Sequence, residues 1–239
     1  MPESISAALN QVLNTGRKDY VWDGTNWRGM LADTAGAARV GIVETIQTEL
    51  FAAASVAASS QAASTILSMA GIKKALIFID HGRAATAAFG TQGTEYRVEA
   101  SQRATGDGTW RAMTTVVAGS TAALAVSASA DVAAGSTTIT VDSGTSIPAR
   151  GDIVFWANTV SAASSEWMRV TSVSGTASFV IQDGLDYGQD SDTSIYTQAE
   201  QWALVVDVEA ITRLRVVVNN NASGTTQAIY SRIACITES

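Results

Sequence analysis

Cysteine and histidine are almost absent from this chain of 239 residues, which contains one of each. The single cysteine, Cys235, excludes an internal disulfide, and the sequence has no cysteine or histidine spacing that would hold zinc. The only histidine, His81, would have to supply the base of any nucleophile–histidine–acid triad. Its position beside Asp80, where an apolar run ends, favours a structural role. We therefore predict a protein that is not an enzyme and that has no metal and no cofactor.

Charge is also scarce, since only 15% of the residues are charged and 46% are hydrophobic. A low charge density suits a protein that buries much of its surface in an assembly. The net charge of −7 argues against nucleic acid or an anionic membrane as the main partner. We therefore expect self-association, without nucleic-acid or membrane binding.

Long apolar runs are missing as well. The longest candidate, residues 50–70, is diluted by serine, threonine and glutamine and is a poor transmembrane segment. Its many alanines favour a helix, whereas its serine, threonine and valine residues weaken that interpretation. We interpret it as two strands, residues 50–56 and 63–69, joined by the polar residues 59–61. A helix over residues 50–69 is the alternative.

The N-terminal residues predict an arm, residues 1–45, that precedes the main core. Ser4 to Asn14 is predicted as a short helix, with an apolar face formed by Ile5, Leu9, Val12 and Leu13. A helix of this length is stable only when it is docked on another surface. The arm therefore predicts a contact with a neighbouring surface.

A narrow β-ribbon is predicted to follow this helix. The Asp23-Gly24 pair favours a two-residue turn between strands that carry Tyr20, Trp22 and Trp27. A two-stranded ribbon alone is marginal in water, and large aromatic side chains often anchor protein contacts. We therefore predict seven assembly-contact residues: Ile5, Leu9, Val12, Leu13, Tyr20, Trp22 and Trp27.

The rest of the chain alternates short strands with turns. Residues 74–80 form a continuous apolar run typical of a central strand. Residues 94–102 alternate, with Tyr96, Val98 and Ala100 on one face and Glu95, Arg97, Glu99 and Ser101 on the other, which predicts an antiparallel strand whose second face is solvated. Many strands and few helices predict antiparallel β-sandwiches. We assign the sandwich to residues 46–118 and 194–239.

A composition shift near Gly119 predicts a small β-domain inserted into this sandwich, over residues 133–192. An alanine- and serine-rich stretch leads into it, and four short strands follow, near residues 137–141, 152–157, 166–173 and 177–182. An acidic loop ends the unit and contains Asp183, Asp186, Asp190 and Asp192. We interpret this loop as a solvated turn, with a bound calcium ion as the alternative.

Five segments resemble structural proteins of tailed-bacteriophage particles. The segment WDGTNWRGMLADTAGAARV resembles the N-terminal arms of virion proteins. The segments AGSTTITVDSGTSIPARGDIVFW and EWMRVTSVSGTASFVIQDGL resemble a small β-module of phage heads and tails, and IKKALIFID and ITRLRVVVNNNASGTTQAIYSRI resemble jelly-roll-like strands of decoration and tail-associated proteins. The resemblance implies an all-β, jelly-roll-like sandwich and no catalytic residue.

The same resemblance implies a capsid decoration, or cement, protein. Its expected partners are itself, as a homotrimer, and other virion proteins such as the major capsid protein. Its expected location is the virion, assembled in the host cytoplasm. A tail, neck or baseplate protein is the nearest alternative. The six tryptophans leave a carbohydrate-binding module for host glycans as an alternative of another class, and a hydrolase is more distant. Four of them lie in predicted strands, where we expect a core role: Trp110, Trp156, Trp167 and Trp202.

Overall fold

A computed structural model describes most of the chain: residues 20–22, 27–32, 38–40, 46–86, 88, 93–142, 147–158, 161–221 and 229–238. The chain divides into two compact units, residues 1–45 with 238–239, and residues 46–237. The described residues form β-strands joined in antiparallel sheets, together with two single-turn 3-10 segments. The all-β prediction is confirmed. No helix in the described ranges is both long and apolar enough to span a bilayer.

The N-terminal unit contains a three-stranded antiparallel sheet, with strands β1 (Tyr20–Trp22), β2 (Trp27–Ala32) and β3 (Ala38–Val40). Trp22 pairs with Trp27, so residues 23–26 lie between the paired residues. The predicted two-residue turn is wrong, because it would have paired Trp22 with Thr25. The predicted helix over residues 4–14 lies outside the described residues.

The second unit contains the remaining strands: β4 (Ile46–Val56), β5 (Ser60–Ala63), β6 (Leu67–Ser68), β7 (Lys74–Arg83), β8 (Glu95–Ser101), β9 (Arg111–Val117), β10 (Ala125–Ser127), β11 (Thr138–Thr140), β12 (Ile153–Trp156), β13 (Glu166–Ser174), β14 (Ser178–Ile181), β15 (Ser194–Tyr196), β16 (Glu200–Asp207), β17 (Arg213–Asn220) and β18 (Ile229–Glu238). The 3-10 segments are Asp107–Thr109 and Ala162–Ser164. Residues 50–69 therefore contain strands and no helix. The predicted strand 50–56 is confirmed as part of β4, whereas the predicted strand 63–69 is wrong in its bounds, because β5 ends at Ala63 and β6 covers only Leu67–Ser68. The turn between β4 and β5 comes earlier than predicted, at residues 57–59, where Ser59 has a φ of 53°.

Two sheets form the sandwich. The first sheet has the order β16-β7-β18-β4, and the second has the order β5-β17-β8-β9, with β6 also pairing with β17. Alternating apolar residues of both sheets point into one core, whose members include Ile77, Ile79, Tyr96, Val98, Leu214, Val216, Val218, Ile229 and Ile233. Burying each aliphatic side chain of this size contributes about 1.5–3 kcal/mol, so this core is the main source of stability.

At each side of the sandwich, an edge strand of the first sheet lies beside an edge strand of the second sheet. At one side, the backbone N–H of Thr65, just beyond β5, donates to the carbonyl of Leu50 at 2.8 Å. The side-chain amide of Asn220, which pairs with Ser60 of β5, donates to the carbonyl of Val56 at 2.9 Å. These bonds place edge strand β4 beside edge strand β5. At the other side, the Gly119 N–H, just beyond β9, donates to the Glu200 carboxylate at the start of β16 at 2.6 Å. Strands β9 and β16 are therefore neighbouring edges.

A third sheet occupies the sequence between β9 and β16, and we call residues 125–196 the insert. Its order is β10-β15-β12-β13-β14-β11, and it has a core of its own that includes Ile139, Val154, Trp156, Phe179 and Ile195. All four strands predicted here are present. Two more complete the sheet, namely β10, in the alanine- and serine-rich stretch, and β15. That the insert folds by itself stays a prediction.

Aromatic packing holds the insert against the first sheet. Phe155 of β12 is fully buried, with its ring centre 4.9 Å from that of Trp167 and 5.1 Å from that of Tyr230. The guanidinium of Arg232 lies 5.1 Å from the Trp167 ring centre and is also paired with Asp80 at 2.9 Å. Because Tyr230 and Arg232 belong to β18, these contacts join the insert to the sandwich.

Candidate functional site

The outer face of the second sheet carries a layer of arginine and carboxylate side chains. Glu99 of β8 accepts hydrogen bonds from Arg97 at 2.7 Å and from Arg215 of β17 at 2.8 Å. Burial alone would raise the pKa of Glu99, but the hydrogen bonds from Arg97 and Arg215 hold that pKa below its ordinary value. Glu99 is itself buried. The prediction that this face of β8 is solvated is therefore wrong at Glu99, because two arginines cover it.

Trp110 is packed beneath two arginines of this layer. The guanidinium carbons of Arg215 and Arg213 lie 4.3 Å and 4.7 Å from its ring centre. A cation over an indole face is attracted by the ring quadrupole, and the aliphatic parts of the arginines cover the ring. The sequence signal for this arrangement is the alternation of Arg213 and Arg215 about the buried Leu214. The sequence alone predicts a core position for Trp110, so it does not predict this contact with the two arginines.

A cleft of about 470 Å³ adjoins this layer and is lined in part by Arg103, Thr109, Arg111 and Ile211. Two guanidinium groups at this cleft, those of Arg111 and Arg213, are hydrogen-bonded to backbone carbonyls. Arg111 donates to the carbonyl of Trp110 at 3.0 Å, and Arg213 donates to the carbonyls of Arg103 and Gly106 at 2.7 Å and 2.8 Å. These bonds fix the loop at residues 102–109. The described lining of the cleft includes no histidine and no carboxylate.

His81 is fully buried inside the sandwich. Its Nδ1 lies 2.8 Å from the hydroxyl of Tyr96, and its ring also contacts Trp202. Burial, with a smaller contribution from the charge of Arg83, lowers the pKa of His81 to about 3. The imidazole is therefore neutral at pH 7 and cannot reach a substrate in solvent. This placement agrees with the structural role expected from the sequence.

The acidic loop is organised by a buried carboxylate from the neighbouring strand. Glu166 accepts hydrogen bonds from the amides of Asp186 and Tyr187 at 2.8 Å and 3.1 Å, and from the side chain of Gln189 at 2.8 Å. Across the described part of the chain, no three histidine, cysteine, aspartate or glutamate residues are grouped so that they could hold a metal. The hydrogen bonds to Glu166 therefore explain the conformation of this loop without a bound cation.

The tryptophans of the main unit are engaged in packing. Trp156 is fully buried and donates from its indole N–H to the hydroxyl of Thr193 at 2.6 Å. Trp202 packs beside Tyr96, with ring centres 5.6 Å apart, and Trp110 and Trp167 lie beneath arginines. These contacts fit the core role expected for the tryptophans in strands.

The predicted assembly contacts fall into two groups. Tyr20, Trp22 and Trp27 lie on β1 and β2, where Tyr20 pairs with Gly29 and Trp22 with Trp27. The backbone register thus brings the two tryptophans to opposing positions of one ribbon. The other four predicted contacts, Ile5, Leu9, Val12 and Leu13, lie outside the described residues. Their role, and that of the ribbon, stays a prediction.

Comparison with protein-family models, with curated proteins and with solved structures finds no match for this chain.

Proposed function

We propose that this chain is a structural protein of a bacteriophage virion, and that its sandwich is a jelly roll. The observation that carries the proposal is the strand order. Counting β4, β5, β7, β8, β9, β16, β17 and β18 as strands one to eight, the first sheet runs six-three-eight-one and the second two-seven-four-five. A jelly roll is built from eight strands in two Greek keys and is common in viral capsid domains.

Within the virion, we assign the chain to the capsid surface as a cement protein. The division of the chain supports this role, since the arm belongs to a compact unit separate from residues 46–237. An arm that adds strands to a neighbour increases the buried surface without enlarging the subunit core. A protein that binds only the assembled shell stabilises that state by mass action.

The test is binding of the purified chain to assembled and dissociated forms of the same capsid. We expect co-sedimentation with assembled shells that lack the protein, and a rise in the temperature at which those shells release DNA. Equal binding to dissociated capsid subunits would contradict the cement role. Binding to purified tails but not to heads would favour the alternative of a tail, neck or baseplate protein.

A further inference from the structure

The cleft beside residues 102–109 offers positive charge next to an apolar surface. Arg103 and Arg111 both line it, and Ala100 and Ile211 form an apolar part of the lining. The bond from Arg111 to the carbonyl of Trp110 occupies only one of the five N–H donors of that guanidinium. With a volume of about 470 Å³, the cleft falls within the size range of ligand sites in proteins. It therefore suits an occupant that combines an apolar group with negative charge.

The acidic loop of the insert has both of these properties. Tyr187 is 46% exposed, and it is the one exposed aromatic side chain among the described residues. Tyrosine is enriched among the side chains that anchor protein interfaces, and its ring can stack on a guanidinium group. The aspartates that flank it in the sequence are all exposed: Asp183, Asp186, Asp190 and Asp192.

Hydrogen bonds fix the conformation of both surfaces. In the acidic loop, the buried carboxylate of Glu166 accepts bonds from the backbone N–H groups of Asp186 and Tyr187. At the cleft, Arg213 holds residues 102–109 through two backbone carbonyls. Because surfaces that are already ordered lose little conformational entropy on binding, both are suited to form a contact.

The insert and the cleft are complementary in charge. The insert contains eight carboxylate side chains and two arginines, so it carries a net charge of −6, nearly all of the −7 of the whole chain. The sheet face that adjoins the cleft adds Arg213 and Arg215 to the arginines of the lining. Complementary charges steer two surfaces together and select the matching partner. The insert of one copy of this chain is thus a suitable partner for the cleft of another copy.

One copy cannot fill its own cleft. Strand β9 has seven residues, begins at Arg111 in the cleft and ends just before Gly119, whose N–H donates to Glu200. The next residue, Gln201, lines a smaller cleft together with Asp186 of the acidic loop. Seven extended residues span about 20 Å, so the acidic loop and the arginine-lined cleft are separated by roughly the length of this strand.

We propose that the acidic loop of one copy docks into the arginine-lined cleft of a second copy, with Tyr187 entering the cleft and the neighbouring aspartates paired with Arg103 and Arg111. Because the contact joins two different surfaces of the chain, it is heterologous and repeats from copy to copy into a closed ring or an open chain. A ring of three copies would be the homotrimer expected from the sequence. This self-association does not depend on a virion role.

Sedimentation of the full chain from low to high micromolar concentration tests the charged part of this contact. We expect an association that weakens between about 0.1 M and about 1 M salt, because the screening length falls from about 10 Å to about 3 Å. Arg111→Glu should raise the dissociation constant by about tenfold or more, since it places a like charge opposite the aspartates.

Arg150→Glu is the matched control for Arg111→Glu. It makes the same change of charge at an exposed arginine of the insert that does not line the cleft, and it should leave the association nearly unchanged. Equal effects of the two substitutions would overturn the proposal. A monomer at every concentration would also overturn it and would leave the cleft to an acidic partner other than this chain.

Tyr187→Ala tests the aromatic part of the contact. Because Tyr187 is exposed, the substitution should weaken the association by about tenfold or more and leave the melting temperature of the monomer unchanged. Val173→Ala is the control, since Val173 is 38% exposed on β13 of the same insert. Unchanged association of a folded Tyr187→Ala chain would show that the acidic loop is not the occupant and would overturn the proposal.

Mixing the two weakened variants gives the most direct readout. Arg111→Glu leaves the acidic loop intact, and Tyr187→Ala leaves the cleft intact. Neither variant should associate with itself, whereas the mixture should form a one-to-one complex and nothing larger, because only one intact loop and one intact cleft remain. Misfolding of either variant cannot produce this complex, and melting curves identify a variant that fails to fold. A mixture of folded variants that stays monomeric, under conditions where the unaltered chain associates, would overturn the proposal.

Discussion

The ring of Phe155 lies directly over the α-carbon of Gly82. A Cβ at position 82 would come within 2.4 Å of the ring carbon Cγ of Phe155, closer than real Cβ contacts allow. Since Phe155 belongs to β12 and Gly82 to β7, this approach sets the distance between the insert and the first sheet. Position 82 therefore requires glycine, because any side chain there would overlap the ring of Phe155.

Gly82→Ala should therefore destabilise the main unit by about 1–3 kcal/mol, the usual cost of overpacking. Gly108→Ala is the control, because a Cβ at Gly108 meets nothing within 4 Å. Denaturant unfolding, followed by tryptophan fluorescence, measures both. Equal stability of the two variants would show that Phe155 moves without cost and that the insert is loosely held.

His81 should make the fold sensitive to mild acid. Its pKa is about 3 in the folded protein and about 6.5 when unfolded, so the unfolded chain binds a proton first. The stability due to this neutral histidine is fully present above pH 6.5 and declines as the pH falls towards 3, by at most about 1.4 kcal/mol per pH unit. Arg83, Asp80 and Glu200 are the charged groups near this site.

His81→Leu should flatten this part of the pH profile, although it also removes the bond to Tyr96 and lowers stability at pH 7. The measurement is the free energy of unfolding from pH 7.5 to 4 for both proteins. Their difference should shrink as the pH falls. Parallel profiles would mean that His81 takes up its proton while still folded.

Glu99 and Glu95 provide a matched pair on one strand. Glu99 is buried between two arginines, whereas the one ion pair of Glu95 among the described residues is with Arg97, and its side chain is 29% exposed. At pH 7, Glu99→Gln should cost about 2 kcal/mol, as for hydrogen bonds to a buried charge, and Glu95→Gln should cost less than about 1 kcal/mol. The low pKa of Glu99 means that its contribution is present above the ordinary glutamate pKa and is lost as the pH falls below it. Thermal unfolding at pH 7 and pH 3 checks this. Equal costs at pH 7 would contradict the ranking.

The arm should be the part of the chain that contacts other virion proteins. Deleting residues 1–45 removes the first compact unit except for two C-terminal residues, so residues 46–237 should remain folded. Trp22→Ala and Trp27→Ala should weaken particle binding by about 2 kcal/mol each, the size expected when a buried aromatic anchor is truncated.

The competing explanation for these tryptophans is packing within their own subunit. In that case the substitutions would lower the melting temperature, and the fraction that remains folded would bind particles normally. Both quantities should be measured on the same variants. A fall in melting temperature with unchanged particle binding would contradict an assembly role for the arm.

Local patterns predicted the strands well where one face is buried. The alternation of Tyr96, Val98 and Ala100 and the continuous apolar run at residues 74–80 both correspond to strands of the sandwich core. Period-two alternation reports a half-buried face, so it identifies such strands with no knowledge of their partners. The pattern of short strands and turns likewise predicted four of the six strands of the insert, β11 to β14.

Long-range pairings could not be read from the sequence in the same way. Glu99 was predicted to face solvent because its own strand alternates, but its partner Arg215 lies 116 residues further along the chain. Likewise, nothing near Gly82 in the sequence indicates that the ring of Phe155 will lie over it. The Asp23-Gly24 turn failed for a related reason, since strand register depends on the whole ribbon as well as on the turn residues.

A virion structural role for this chain can be tested by its copy number in purified particles. Quantitative mass spectrometry of particles released by a host that carries the gene would give the ratio of this chain to the major capsid protein. Because closed symmetry fixes subunit numbers, a cement protein should be present in hundreds of copies, on the order of the capsid protein itself, and a tail or neck protein in about six to twelve. We expect the higher number. Absence of the chain from purified particles, with abundant chain in the host lysate, would contradict it.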